Sequence, residues 1–485
     1  GLTNLNLGNN QKAIEDFNKT ISLEPGFSAN LFYNRAQAKQ KLEDLDGAKD
    51  DLTRYISATQ QNDVAYYERG LIKEKQSDIE GAIEDYSMAV KVNPDFSEAI
   101  TEMGYAKYLV KDYKKALIDL TKATQLNPNF IYAWFNKGLT EIELAHYAEA
   151  ESDFRKVLSL SPNHIEALYQ IAIIKDKSED IPGAFSTIEE ILKIDPQYSK
   201  AYYLKSAIFL RQKELEKAEE TFTKIIELNS QDYKAYVDRG NVRQTLFDYQ
   251  GAKEDYTEAT HLNPFMPELY YNLGTLETGL KNPDIAIECF TKVIGFEPEN
   301  MEAYNKRGYA KYMKKEYNEA IKDFNKALEL SPENPEVFFN RGNAKAGLED
   351  NQGAMNDFTK ALINPNYADA FIARGDVKSK LTDYYGAVAD YSKAIHLDAK
   401  DAKKYFIRAN AYKALDSLKE AVDDLTKAVT LNPKYAKAFF LRGLLFYNMR
   451  SYRNAVNDLT TAVNLNPAFL QQISPVLSAA KSKIV

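Results

Sequence analysis

Residues 301–334 read MEAYNKRGYAKYMKKEYNEAIKDFNKALELSPEN, and variants of this stretch recur along almost the whole chain. Its second half places apolar residues at three- and four-residue spacing, as in Ala320, Ile321, Phe324, Ala327 and Leu328, which predicts an amphipathic helix. A first helix centred on Gly308 precedes it, with a short linker around Glu316-Tyr317-Asn318. Pro332 ends the second helix, because proline lacks an amide and restricts the residue before it. Small residues at Gly308 and Ala320 let the two backbones approach closely, and the ring of Phe324 fills the space beside them.

Working outward, the small residue of the first helix returns as Ala36, Gly70, Gly104, Gly138, Ala172, Ser206, Gly240, Gly274, Gly308, Gly342, Gly375, Ala409 and Gly443. Every step is 34 residues except the 33 from Gly342 to Gly375. Alanine stands twelve positions later each time, from Ala48 to Ala455, with Ala13 ahead of them, and a large apolar residue follows four further on. Proline closes eleven of the fourteen units; Gln60, Ser230 and Ala399 fill the other slots. A helix pair of this size cannot bury its apolar face alone and must stack on its neighbours.

With Tyr304, Gly308, Ala320, Phe324 and Pro332 as one representative set of markers, the chain resembles the tetratricopeptide repeat family over residues 1–467. The resemblance implies an all-α fold, a right-handed superhelical solenoid of about thirteen 34-residue helix–turn–helix repeats completing more than one superhelical turn. It also implies a concave groove that binds a peptide or protein partner. Counting back twelve from Ala13 lands on Gly1, so the first repeat is incomplete and a truncated chain is expected. Residues 468–485 are expected to form a capping helix that starts with Ser474 as N-cap and Pro475 in the first helical position, although Val476, Leu477, Ile484 and Val485 are apolar for an exposed cap.

Composition narrows the class of work. A length of 485 residues exceeds what one hydrophobic core organises. The net charge of −8 opposes a general phosphate binder, so nucleic acid is not an expected partner. One cysteine, Cys289, excludes an internal disulfide framework and a Cys-rich zinc site. No apolar run approaches the roughly 20 residues that span a bilayer, so a soluble chain without direct membrane insertion is expected. Both the cytoplasm and a bacterial periplasmic or outer-membrane-associated location fit, and oligomeric state is not readable.

Arginine precedes the small residue in eight units, at Arg35, Arg69, Arg239, Arg307, Arg341, Arg374, Arg408 and Arg442, and each has an aspartate sixteen residues later, from Asp51 to Asp458. Where Ile171 or Leu273 replaces the arginine, Thr187 or Cys289 replaces the aspartate. Paired loss predicts contact between the two helices, because a half-buried charge left alone costs far more than an absent pair. The alternative is a ladder of partner-binding arginines.

The resemblance places the position three before the small residue on the concave face. Aromatic residues hold it in nine units: Tyr33, Tyr67, Phe135, Tyr169, Tyr203, Tyr271, Phe339, Phe406 and Phe440. The units with Thr101 and Asn305 instead carry Tyr105 with Tyr108 and Tyr309 with Tyr312 in identical GYAKY strings. Asn34, Asn136, Asn272 and Asn340 follow the ring and offer a donor and an acceptor to a peptide backbone. Such a row suits partner binding; packing of the rings between adjacent units is the competing reading.

No catalytic site, cofactor or metal is expected. His146, His164, His261 and His396 lie in separate units without ligand-spaced partners. Cys289 reads as a buried, inert thiol, and the many carboxylates as solvated surface. The carboxylate clamp of some family members fits poorly, because Val237, Phe339 and Phe406 stand where it wants lysine, although Asn241, Asn343 and Asn410 fill its later slot. The leading reading is a non-enzymatic interaction scaffold. The runner-up is a regulatory or substrate-recruiting arm of an enzyme such as a glycosyltransferase, with the catalytic domain outside this chain.

Overall fold

The computed structural model describes residues 1–26 and 28–484. Among these, twenty-nine α-helices and one 3-10 turn carry the fold, and no strand occurs. The chain forms two compact units, Gly1–Ser230 and Gln231–Val485. Each is a succession of helix pairs that pack on the pairs before and after within the unit.

The quoted stretch folds as the helices Met301–Met313 and Tyr317–Leu330. Their contacts join residues 16 and 12 apart, Arg307 to Asp323 and Lys311 to Asp323, and the equivalent Lys73 reaches the Gly81 carbonyl only 8 away. Separation that shrinks towards the linker means the helices run antiparallel. A Cβ built on Gly308 would sit 2.7 Å from the Phe324 ring, so this crossing has no room for a side chain. All fourteen alanine markers, from Ala13 to Ala455, are fully buried.

The linker lies one to two residues earlier than its polar composition indicates. Met313 ends the first helix, Tyr317 already begins the second, and Lys314–Glu316 make the turn. Lys315 adopts φ +64°; its amide donates to the Tyr312 carbonyl and the Glu316 amide to that of Lys311, which closes the helix end in a Schellman arrangement. The same slot is left-handed in all thirteen complete pairs, from Glu43 to Arg450, and none of them is glycine. An aspartate N-cap then opens many second helices: Asp44, Asp78, Asp180, Asp248, Asp350 and Asp383 each accept the amide of a glycine three residues on.

The 33-residue step is absorbed at the end of a second helix. Asn351–Ala361 has 11 residues where Tyr317–Leu330 has 14.

The eight arginine–aspartate pairs all form, each as a two-pronged contact in which Nε and one terminal nitrogen donate to the two carboxylate oxygens. In the representative pair these distances are 2.9 and 2.7 Å; the others match. The arginine also lies over the aromatic marker three residues before it, as Arg307 does over Tyr304 and Arg69 over Tyr66. At Arg35, Arg69, Arg307, Arg341, Arg374, Arg408 and Arg442 the remaining nitrogen reaches the second helix of the preceding pair, as Arg307 reaches Thr291 Oγ1 and Arg69 reaches Thr53 Oγ1. One side chain thereby ties three helices together. Six of the eight aspartates hold a second cation, for example Lys311 on Asp323 and Lys73 on Asp85. At Asp424 and Asp458 that slot carries Tyr412 and Phe446, whose rings face Arg408 and Arg442 instead. Leu273 and Cys289 bury against each other's surroundings without any ion pair.

The last helix differs from its sequence reading. It spans Leu470–Ser482, so Ser474 is not its N-cap and Pro475 lies inside it. Ile473, fully buried, packs with Leu459 and Ala462, and Val476 and Leu477 join the same cluster. Burial of that face fixes the start, and the cost is one backbone hydrogen bond at Pro475. Val485 lies outside the described residues.

Candidate partner-binding face

The first helix of each pair positions the sequence-predicted rings. All nine aromatic residues three before the small residue are half-buried. Each meets rings of its own pair or of the turn that ends it. Tyr33 lies 5.1 Å from Tyr55, Tyr67 5.1 Å from Phe96, Phe135 5.5 Å from Phe154 and 5.3 Å from His164. Tyr169 meets Tyr198, Tyr203 meets Phe222 and Tyr271 meets Phe290. Phe339 meets Phe358 and Tyr367, Phe406 meets Tyr435 and Phe440 meets Phe469. Phe154, Phe290 and Phe358 are themselves buried core residues, so these rings contribute to the helix-pair core as well as presenting an edge to solvent. In the two GYAKY strings, Tyr105 stacks on Tyr108 and Tyr309 on Tyr312, and Tyr309 is the most open of the set at 40% exposed.

Polar atoms on this face link consecutive pairs. The Tyr33 hydroxyl donates to Glu68 at 2.9 Å and the Tyr271 hydroxyl to Glu302 at 3.1 Å. Asn340 donates to Asn305 Oδ1 and Asn305 to Glu336 Oε1, both at 3.0 Å. Asn272 is half-buried. Asn136 is 3% exposed and its side chain is hydrogen-bonded to Tyr132.

Carboxylates form the part that sequence reasoning missed. The slot two before the small residue, asparagine in four units, holds Glu68 and Glu102 in two consecutive ones, and both are withdrawn from solvent. Burial, then the neighbouring Glu74, pushes the Glu102 carboxyl up to about 7. Burial also raises Glu68, against the hydrogen bond from Tyr33. Elsewhere Glu141 and Glu277 are buried too, the first against His146 Nδ1 at 2.6 Å and the second against Lys253 at 2.8 Å. The reading of these acids as solvated surface is corrected accordingly; only their register against the small residue could have marked them.

Among the described residues no group of three or more metal-ligating side chains occurs. His164 accepts the Ala167 amide as a helix cap. Cys289 is buried, and desolvation raises its thiol to about 11, which keeps it protonated near neutrality. Among the described residues no helix is long and apolar enough to cross a membrane.

Comparison with known proteins bears on the whole array. A model of the tetratricopeptide repeat matches residues 1–27, 64–96, 131–164, 199–232, 267–300, 402–435 and 436–469, and a TPR repeat model matches 308–348. Together these cover more than half of the chain. No curated protein matches it. Among solved structures, the APC/C hetero-tetramer Cut9-Hcn1 is similar at 14% identity, with 92% of this chain and 95% of that one covered and a TM-score of 0.41. Yeast Tom70 aligns at 18% identity over 87% of this chain and 95% of its own, with a TM-score of 0.39. The C-terminal part of a TPR repeat-containing protein from Cytophaga hutchinsonii aligns at 21% identity over 49% of this chain and 96% of its own, with a TM-score of 0.43.

Proposed function

The chain belongs to the tetratricopeptide repeat family, and on that premise we propose that it is a non-enzymatic scaffold that binds an extended peptide or protein segment along the inner faces of its first helices. Residues 1–467 act as the binding array and 468–485 as its cap. The observation that carries this reading is the half-burial of the ring three before the small residue in nine of the thirteen complete pairs, with tyrosine, asparagine and glutamate atoms bridging successive pairs beside it. Rings anchored in this way offer area at low entropy cost, and the adjacent amides can exchange hydrogen bonds with a peptide backbone.

The test begins with selection of a displayed random peptide library on the full chain. Selected peptides should lose binding when Tyr309 and Tyr312, or Tyr105 and Tyr108, are changed to serine, by about 2 kcal/mol for each well-placed anchor. These tyrosines are preferable to Phe135, Tyr169 and Tyr203, whose contacts with Phe154, Tyr198 and Phe222 make their loss a matter of fold as well. Circular dichroism melts check that the variants remain folded. Undiminished affinity in folded variants of both strings would overturn the proposed face.

A further inference from the structure

We propose that the helix pair Ile131–Glu143 and Tyr147–Leu160 is a pH-sensitive joint of the array, closed in acid by the contact between Glu141 and His146 and loosened as the imidazole loses its proton. The inference is independent of what the array binds.

The first ground is an exchange of charge at two fixed slots. The residue three after the small marker is lysine or arginine in eight pairs, as at Lys73, Arg243 and Lys311, and the residue five further on is then always an acid, as at Asp78, Asp248 and Glu316. Glu141 and Glu277 put an acid in the first slot, and there the second slot changes to His146 and Asn282. Both of these reach the glutamate five residues back. His146 Nδ1 lies 2.6 Å from Glu141 Oε2, and Asn282 Nδ2 donates to Glu277 Oε2 at 2.7 Å. An asparagine makes that contact at any pH, whereas an imidazole gains or loses a charge between about pH 5 and 8.

The surroundings decide how much that charge matters. Glu277 is also held by Lys253 of the preceding pair at 2.8 Å, but Leu117 occupies the equivalent position ahead of Glu141. Glu141 is 5% exposed, and among the described residues His146 is the one cation-capable group at ion-pair distance from it. On its own helix, Lys137 is committed to both oxygens of Asp153. The second helix brings Asp153 and Glu149; burial, opposed by Lys137 and reinforced by Glu141 and then Glu149, raises the Asp153 carboxyl. Arg155 of that helix pairs with Glu151. In the preceding pair Lys107 holds Asp119 and Lys115 holds Asp112. In the following helix, Ile165–Lys177, Lys175 donates to Thr187 and Lys177 lies over the Tyr147 ring. Once His146 is neutral, Glu141 keeps a hydrogen bond but has no counter-charge, and a buried carboxylate in that state is costly. The contact therefore favours the closed pair in acid and loses that contribution as pH rises across the imidazole range.

The nearby His164 works in the opposite sense and in another helix. Its Nδ1 accepts the Ala167 amide as the cap of Ile165–Lys177, and protonation removes that acceptor. Loosening of residues 131–160 towards higher pH cannot come from it.

The experiment is hydrogen–deuterium exchange of the full chain, read by mass spectrometry at about pH 5.5 and about pH 8 and corrected for the intrinsic pH dependence of exchange. The pair with Asn282 serves as a reference inside the same molecule. On passing to the higher pH, peptides from residues 131–160 should lose protection by at least about threefold relative to peptides from 267–296. His146→Asn, which copies the Asn282 arrangement, should cut that relative change to less than about 1.5-fold, and Glu141→Gln should do the same, while His164→Asn should leave it in place. Circular dichroism checks that each variant is folded, and either of the first two suffices for the test. No relative change in the parent chain would overturn the joint, as would a change that persists in folded His146→Asn or Glu141→Gln, or one that disappears in folded His164→Asn.

Discussion

Asp85 and Glu102 are both carboxylates withdrawn from water in neighbouring helix pairs, and they are treated in opposite ways. Asp85, between the helices Asp63–Lys75 and Ile79–Val92, receives both prongs of Arg69 and the ammonium of Lys73. Glu102, on the helix Ser97–Leu109, lies near Glu74 and tyrosine rings, and no ion pair holds it among the described residues. The difference separates two uses of buried charge. Between helices the charge is cancelled and fixes geometry; at Glu102 it is left without a counter-charge, which costs stability.

The largest expected effect comes from opening the closed case. Asp85→Ala leaves Arg69 and Lys73 facing each other and should destabilise the chain by about 3–5 kcal/mol, measured by urea unfolding, whereas Arg69→Met with Asp85→Leu should cost much less. Additive single effects would break the comparison at its first term.

Packing should come next. Ala82 is fully buried at the crossing that holds this ion pair, so Ala82→Leu should overpack it by about 1–3 kcal/mol. A thermal melt unchanged from the parent would show that the pair's geometry does not depend on close helix approach.

Closing the open case should have the smallest effect and the opposite sign. The Glu102 carboxyl rises from 4.5 to about 7 on folding. Its contribution is therefore favourable at low pH and is lost as pH climbs from 4.5 towards 7. Glu102→Gln should stabilise the chain at pH 8, by on the order of 1–2 kcal/mol, and have little effect at pH 4. An equal effect at both pH values would mean that the carboxylate is not held at a cost.

Legibility followed the same division. Arg307 and Asp323 could be paired from sequence because the helices are antiparallel with a constant offset, and because Leu273 and Cys289 change together in the preceding pair. The close crossing at Gly308 was equally plain, since a small residue recurring at this period has few other causes. Lys315 was not, because its left-handed backbone is imposed by the turn and no glycine marks it. Pro475 misled, because the burial of Ile473 outweighs a local helix-start signal. Glu68 and Glu102 were hidden for a different reason: a single acid on a helix looks solvated until the packing of the preceding pair is known. The rings at Phe135 and Phe339 were found, but their contacts with Phe154 and Phe358 depend on side-chain directions that periodicity does not specify.

The arginine that ties three helices has a consequence for how the array gives way. Its partners lie 16 residues ahead and about as many behind, and the longest links between pairs, Tyr33 to Glu68 and Asn340 to Asn305, span 35 residues. With bonds this short-ranged, stability is a sum over neighbours, so a pair weakened by proteolysis or substitution loosens those beside it and leaves distant ones in place. Under tension such a chain yields in steps of one or two helix pairs, and it reforms in steps of the same size.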